Sequence, residues 1–411
     1  MTHHNGAQSA RSKDYPYTAD TKFDPRLIGY PAVLNPHADK TSAPRGDMFS
    51  SHRDQCMVIQ GAEFPLQWTG YEYYDGQFSI DPSHRDQDMQ VIEVIPKYKL
   101  SEGSQRIARN PSVTVIALGA RTGLIHCFNI DTHVCGRDGY GYEAVIKRRY
   151  PKPDEWLPKE AVLATSTAYQ GNKYCYGAEM NVAFMTLPEG IEDAFLISES
   201  AAKKFATVGV HRVSIIVRSD SLPLNHYGDY DDVYKFLPDI GEVVREDGVL
   251  FAARPVRQET YAADCDPSMM RQIQYVTDTV IYAPPGAEIV DIDVYTSSQR
   301  AIASATIYSQ VEKYQNAITA YWQNILAVYD RVKHREIAPE FNTLVTRAVT
   351  MLAAMRMPTR VPGLHGIGNR KVELRGRNNR PVDFIQLDVT YKIDRPVIPG
   401  SKFSDRAGAA I

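Results

Sequence analysis

No apolar run in this chain approaches the ~18 residues that a membrane-crossing helix needs, which predicts a soluble protein. Cysteine is scarce and scattered, at Cys56, Cys127, Cys135, Cys175 and Cys265. An odd set without regular spacing offers no disulfide framework and suits reduced thiols inside a cell. His133 stands near Cys127 and Cys135, but no Cys-x-x-Cys pair accompanies it, so buried structural thiols are the simpler reading. An excess of positive charge is also missing. The 46 Lys and Arg are set against 49 Asp and Glu, a net charge of −3. A stand-alone nucleic-acid binder needs a basic surface, because phosphate contacts dominate affinity. Contact with nucleic acid must therefore be local here, or the basic surface must come from partner chains. There is no GxxxxGK[ST] loop, no GxSxG elbow and no HExxH helix, so the chemistries those motifs serve have no local signature. The first residues, MTHHNGAQSARSK, are polar and do not form a secretory signal.

What is present suits a folded protein with a real core. Hydrophobic residues make up 43% and charged residues 23% of the chain, both ordinary for a globular protein. At ~150 residues per domain the length allows two or three domains. Tyrosine far outnumbers tryptophan, 25 against 3. Tyrosine suits half-buried strands and interfaces, where the ring is covered and the hydroxyl stays wet.

Residues 1–25 read as a flexible polar arm. Residues 26–75 read as loop-rich, with one helix near Asp47 to Gln60. From Met89 strands dominate. Ser112 to Ile130 is a hairpin pattern around Gly119 to Gly123. Glu143 to Tyr150 reads as a strand, and Pro151 and Pro153 then break pairing. Val182 to Ser198 reads as a short strand, a turn at Pro188 to Gly190, and a resumed strand over Ala194 to Ile197. Glu199 to Phe205 reads as a short helix. Val210 to Asp220 is apolar on both faces, which predicts a central strand.

The clearest helix spans Ile307 to Val332. Ile307, Val311, Tyr314, Ile318, Tyr321, Ile325, Val328 and Val332 recur at alternating steps of four and three, a coiled-coil seam. Pro339 suits the first turn of a second helix. Its apolar positions Phe341, Leu344, Ala348, Met351 and Met355 face the first in an antiparallel hairpin. The alternative is two helices packed into a larger core. Arg370, Lys371, Arg375, Arg377 and Arg380 form a basic patch, either a solvated face or a phosphate contact. Ile385, Leu387, Val389, Tyr391 and Ile393 alternate with Gln386, Asp388, Thr390 and Lys392. That is the pattern of a half-buried strand, and it leads to the Pro399-Gly400-Ser401-Lys402 turn.

By spacing alone, the visible carboxylate cluster is Asp229-Tyr230-Asp231-Asp232. Closely spaced carboxylates can hold Mg²⁺ for phosphoryl transfer, as in palm-type polymerases, but no second acidic strand motif accompanies these, and a solvated loop is the plainer reading. Glu192-Asp193 and Lys402 carry little signal by themselves.

Their surroundings carry more. Gly177 to Met185 (GAEMNVAFM) and Glu192 to Glu199 (EDAFLISE) resemble, in order, a block of the type GxNMxVAFMPWxGYNxEDAIxISE in the β subunit of multisubunit DNA-directed RNA polymerases. Further blocks follow in the family's order. Ile240 to Val243 with Asp247 to Leu250 resembles IGAEVKPGDIL. Ala283 to Ile292 resembles VPPGVSGTVIDV. Pro399 to Gly408 (PGSKFSDRAG) resembles the end of VKRRIQPGDKMAGRHG. Upstream, Asp39 to Gln55 is similar to the fork and RNA-facing segment, with Pro44, Arg45 and Gln55 coinciding. Gly70-Tyr71-Glu72 resembles the following TGxE.

The resemblance implies a mixed α/β, β-rich fold: a discontinuous double-psi β-barrel with an inserted flap domain carrying a helical hairpin. The divisions would be a flexible arm over 1–25 and a fork or RNA-facing region over 26–160. The barrel would occupy 161–270 and 379–411. The flap-like insertion would occupy 271–378, with helices about 305–334 and 338–357. The chain would form one wall of the active site. Lys402 would contact the RNA 3′ region or nucleotide phosphate, and Glu192 and Asp193 would lie near the triphosphate. Arg45, Gln55 and Arg406 would bind nucleic acid or NTP. The chain would hold no metal directly. Mg²⁺ would be held by the NADFDGD loop of a β′-like partner, with Asp193 reaching a second Mg²⁺ through water. Partners would be other β and β′ fragments, DNA template, nascent RNA and NTPs, with no membrane. The family's second lysine falls at Ala410, so that motif is lost or supplied by another chain. The span of the resemblance fits a split β fragment of the kind large bacteriophages encode, working in the host cytoplasm or carried in the virion. A non-enzymatic virion structural or interaction protein is the alternative from another class.

Overall fold

The computed structural model describes residues 30–54, 59–70, 72, 87–98, 110–131, 134–135, 141–142, 147–159, 161–165, 169–170, 173–175, 177–183, 185, 195–229, 234–256, 268–296, 308–356, 374–375 and 379–405. In chain order come helices α1 (Tyr30–Val33) and α2 (Ala43–Asp54), then strands β1 (Met89–Pro96), β2 (Ser112–Gly119), β3 (Ile125–Asp131) and β4 (Trp156–Leu157). Helix α3 (Glu199–Lys204) precedes β5 (Thr207–Arg218), β6 (Ser221–Pro223), β7 (Val249–Pro255), β8 (Thr279–Tyr282) and β9 (Glu288–Thr296). Helices α4 (Ser309–Val332) and α5 (Pro339–Arg356) follow, and β10 (Phe384–Arg395) closes the order. Several two-residue ladders connect these elements.

The fold is β-rich, with a curled, half-barrel sheet and few helices. Three antiparallel sheets run in the orders β3-β2-β1-β4, β5-β10-β9 and β6-β7-β8. Register shifts interrupt β1 between Val91 and Glu93, β7 between Val249 and Phe251, and β9 between Ile289 and Asp291. Such bulges bend a strand and raise its twist. The hairpin pattern of Ser112 to Ile130 forms as β2 and β3, and Gly123 takes a positive φ of 70° in its turn.

The seam of α4 is buried from Val311 through Tyr314, Ile318, Tyr321, Ile325 and Val328 to Val332. Ile307 lies outside the described residues. Helix α5 returns against α4 through Phe341 and Ala348. The hairpin is also part of a larger core, shared with β1, β2, β3, β7, β9 and β10. Its connecting loop is clipped to β3: the Ile125 N–H donates to the Glu336 carbonyl and the Ala338 N–H to the Ile125 carbonyl, both at 2.9 Å. Each buried aliphatic or aromatic side chain here contributes roughly 1.5–3 kcal/mol gross, before chain entropy is subtracted.

Four local readings need correction. The helix expected near Asp47 to Gln60 runs from Ala43 to Asp54, with Pro44 in its first turn, where a missing N–H costs nothing. Ile59 instead bridges to Thr207 as extended chain. The strand expected to begin at Val182 is not formed over 181–183, and its resumed part, expected over Ala194 to Ile197, is not formed over 195–197. Strand β5, expected at the centre of its sheet, is an edge, and β10 is central. Alternation in β10 suggested a half-buried strand, yet it is buried on both faces from Phe384 to Tyr391.

The reason lies in a polar layer that covers the even-numbered face of β10. Ser214 donates to Asp388 at 2.6 Å, Gln386 donates to the same oxygen at 2.8 Å, and Arg212 reaches the other oxygen at 2.9 Å. On β9, Asp291 and Asp293 receive Lys97 at 2.6 and 2.8 Å. The Tyr98 hydroxyl donates to Asp291 at 2.8 Å. Burial alone would strip charge from Lys97, but Asp291 and Asp293 overcome it and hold the ammonium above its ordinary range. The same burial and the same carboxylates push the Tyr98 phenol well up. Polar side chains facing each other across two layers have thus replaced water.

Candidate functional site

Antiparallel pairing of β5 with β10 places Thr207 opposite Arg395. The chain entering β5 and the chain leaving β10 therefore lie side by side. Helix α3 enters the first, and the Pro399-Gly400 turn follows the second. Ser198 caps α3, its hydroxyl accepting from the Ala201 N–H at 3.3 Å.

The turn is built by its own residues. The Ser401 N–H donates to the Ile398 carbonyl at 3.0 Å, and the Ile398 N–H donates back to the Ser401 hydroxyl at 3.1 Å. Gly400 has a φ of 88°, as the third position of a type II turn requires, and Pro399 supplies the fixed φ before it. Lys402 leaves this turn exposed to solvent.

The next residue anchors the turn. The Phe403 ring meets Phe195 with centroids 4.7 Å apart and Phe205 at 4.8 Å, both edge to face. Phe205 belongs to a small core with Ile59, Ala62, Phe64, Cys175 and Ala178. The segment after Ile59 lies along α3. The Gly61 N–H donates to the Lys204 carbonyl at 2.9 Å, and the Gln60 N–H to the Ala206 carbonyl at 2.8 Å. Glu63 pairs with Lys204 and accepts the Glu179 N–H at 3.0 Å. Those two contacts, Lys204 first, hold the Glu63 carboxyl below the usual range. Glu179 in turn accepts the Leu66 N–H at 2.9 Å.

The structure thus brings together the described parts of two blocks read from the sequence, 177–183 with 195–199 and 399–403, beside the segment 59–66, which the resemblance did not mark. Glu192, Asp193, Gln55 and Arg406 lie outside the described residues. Arg45 is exposed on α2, whose Phe49 packs with Leu34 and Tyr174, next door to the core that holds Phe205. Asp229 is exposed, and its carbonyl accepts from the Asn225 amide at 3.2 Å, while Asp231 and Asp232 lie outside the described residues. Sequence reasoning missed Phe195, Phe205 and Phe403, along with Glu63. Each looks ordinary in its own segment, and only the meeting of segments gives it a role.

The segments that meet at this junction, and the residues next to them, carry exposed apolar side chains. Leu66, Val182, Met185, Leu196 and Ile398 are between 62% and 80% exposed, and Trp68 joins them at 52%. Among the described residues no three His, Cys, Asp or Glu side chains converge to hold a metal ion. Among them, too, no helix is long and apolar enough to cross a membrane.

No family model matches the chain, and a search of curated proteins finds no match.

Proposed function

We propose that this chain is a β-subunit fragment of a multisubunit DNA-dependent RNA polymerase, forming one wall of its active site. The observation that carries this reading is the contact of Phe403 with Phe195 beside an exposed Lys402. Two motif-bearing stretches far apart in sequence meet there, as the resemblance requires. Strands β5 and β10 would belong to the double-psi barrel, and β9, which pairs with β10, falls in the stretch 271–378 that the resemblance gives to the flap. The helices α4 and α5 would belong to the flap-like insertion.

In this reading the chain's work is positioning and charge, which is most of the catalysis in phosphoryl transfer. Lys402 holds negative charge at the RNA 3′ end or the nucleotide phosphate. Glu192 and Asp193 orient groups near the triphosphate. Arg45, Gln55 and Arg406 hold nucleic acid or NTP, a guanidinium fork suiting two phosphate oxygens. In this reading the chain holds no metal directly. Mg²⁺ would come with a β′-like partner, and its chemistry is neutralisation of charge on the transferring phosphate. Asp193 would reach a second ion through water. The exposed Leu66, Val182, Met185, Leu196 and Ile398 suit a chain that works against a partner.

The test is RNA extension by the chain co-purified with its partner chains. Lys402→Ala is expected to lose about 2–3 kcal/mol of transition-state stabilisation, the scale of one preorganised donor. Extension near the wild-type rate overturns the assignment.

A virion interaction protein is the second reading. It is favoured by the loop tip at Tyr275 and Val276, which are 69% and 99% exposed although Asp278 pairs with Arg254 directly beside them. Co-purification with a chain bearing the NADFDGD loop supports the polymerase, and co-purification with capsid or tail chains supports assembly.

A further inference from the structure

We infer that Phe403 is a positioning residue: its two edge-to-face contacts, with Phe195 and Phe205, hold the turn that carries Lys402 at a fixed place on the surface. The inference rests on the polymerase reading for what the lysine touches, but not for how it is held.

Lys402 has no scaffold of its own. It follows a type II turn whose two hydrogen bonds, between Ile398 and Ser401, are internal to the turn. They fix the turn's shape, not its place. A Cβ on Gly400 would meet nothing within 4 Å, so the turn is not packed against the body at that point. Ile398, Pro399 and Gly400 are exposed. Phe403 is the first residue past the turn whose ring contacts tie it to other segments. Its partners come from opposite sides. Phe195 precedes the Ser198 cap of α3, and Phe205 follows the last turn of α3. One ring is thus held by both ends of one helix. Phe205 is in turn part of the core with Ile59, Ala62 and Cys175. The Phe403 ring, together with a β-bridge at Ser404, thus ties the segment that carries Lys402 to the folded body.

The arrangement also links the two charged blocks. Phe195 lies two residues after Asp193, and Phe403 one residue after Lys402. The ring contact therefore ties the described end of the acidic block, at Phe195, to the turn that carries Lys402. A ring that slides along an edge-to-face contact changes the lysine's reach without unfolding the sheet.

The test uses hydrogen exchange on the purified full-length chain and extension by the co-purified complex. The variants are Phe403→Ala, Phe403→Tyr and Phe195→Ala. Phe195 is 38% exposed, so its truncation spares the fold even if Phe403→Ala does not. The expected result is that Phe403→Ala and Phe195→Ala speed exchange over residues 401–405 about tenfold, the scale of losing one or two such ring contacts. Exchange in β5 and β10 stays at the wild-type rate. Phe403→Tyr, which keeps the ring, restores protection. In the complex, the alanine variants lower kcat about tenfold with little change in the KM for NTP, and Phe403→Tyr recovers it. Unchanged exchange over 401–405 in both alanine variants overturns the inference. So does faster exchange with unchanged extension in a complex that Lys402→Ala disables. If Lys402→Ala leaves extension intact, the polymerase reading fails. The anchoring of the turn then still stands or falls on the exchange data alone.

Discussion

The ring of Phe403 meets that of Phe195 edge-on, with centroids 4.7 Å apart. The pair closes a loop that begins at α3, runs through the paired strands β5 and β10, and returns to α3. Closing so large a loop costs chain entropy. That cost is met by the twelve-residue ladder between β5 and β10 rather than by the rings. The rings decide only where the last few residues sit, which makes them a local lever on Lys402.

Gly400→Ala tests whether the turn is as described. The added Cβ meets open space, so crowding is not the issue. The φ of 88° is, since an L side chain is strained there. A loss of about 1 kcal/mol is expected, with faster exchange confined to the turn. An unchanged urea midpoint together with unchanged exchange at Ser401 would mean that the turn is not type II.

Gly61→Ala tests the joint between the 59–66 segment and α3. Its Cβ would lie 2.8 Å from both Cα and Cβ of Lys204 and 3.0 Å from the Lys204 carbonyl oxygen. Two of those atoms are backbone and cannot swing aside. Separation of the segment from the end of α3 is expected to cost about 1–3 kcal/mol, as overpacking does, and to release the Glu63–Lys204 pair. Chemical denaturation measures the loss, and a change below a few tenths of a kcal/mol would place the two segments further apart than described.

Some of this architecture was legible in the sequence and some was not. The α4 seam announced itself, because a 3.5-residue repeat is a local signal and Val311 through Val332 fulfil it. The hairpin of β2 and β3 was equally local. Strand β10 misled, because Gln386, Asp388 and Thr390 look solvent-facing when read alone. Asp388 is held by Arg212 and Ser214 of β5, and Arg212 also reaches Asp293 of β9, which with Asp291 pairs with Lys97, so the network spans three other segments. Strand β5 misled for the matching reason: apolar residues on both faces suggested a centre, while its neighbours put it at an edge. The candidate site was visible only through resemblance, since no single segment holds two of its contacts.

His226 gives a pH-dependent prediction. It is buried, and neither ring nitrogen has a hydrogen-bond partner. Burial, then Arg245 and Arg271, lower its pKa, against a smaller opposite pull from Asp247 and Asp278. The folded state therefore keeps the imidazole neutral, and the unfolded chain takes up the proton first, near the ordinary ~6.5. The stability from this group is present above that pH and is lost as pH falls through the lowered folded value. His211, lowered by burial and Arg395, acts with the same sign. The lowered carboxyls Glu63, Asp220, Asp239 and Asp293 lose their contribution only further down, below the ordinary carboxylate range. The urea midpoint is expected to drop between about pH 7 and pH 5, and His226→Gln should flatten that drop where His211→Asn flattens it less. Identical profiles for His226→Gln and the wild type would show that His226 titrates alike in both states.

Lys97 makes the strongest stability prediction. Its ammonium sits between Asp291 at 2.6 Å and Asp293 at 2.8 Å, with its side chain only 15% exposed. Removing one member of a buried ionic group leaves its partners charged without compensation, which costs about 3–5 kcal/mol. Asp293 keeps Arg212 at 3.2 Å, whereas Asp291 keeps two neutral donors, the Tyr98 hydroxyl at 2.8 Å and the Ile292 N–H at 2.9 Å. The burden of Lys97→Met therefore falls on Asp291. Adding Asp291→Asn to Lys97→Met should recover much of the loss, because the amide needs no counter-charge and still accepts from Tyr98. Adding Asp293→Asn instead should recover less and also weaken the hold on Arg212. A double-mutant cycle by urea denaturation separates the two. If Lys97→Met costs under about 1 kcal/mol, the usual ceiling for an exposed pair, the layer between β1 and β9 is wet and the burial of β10 needs another cause.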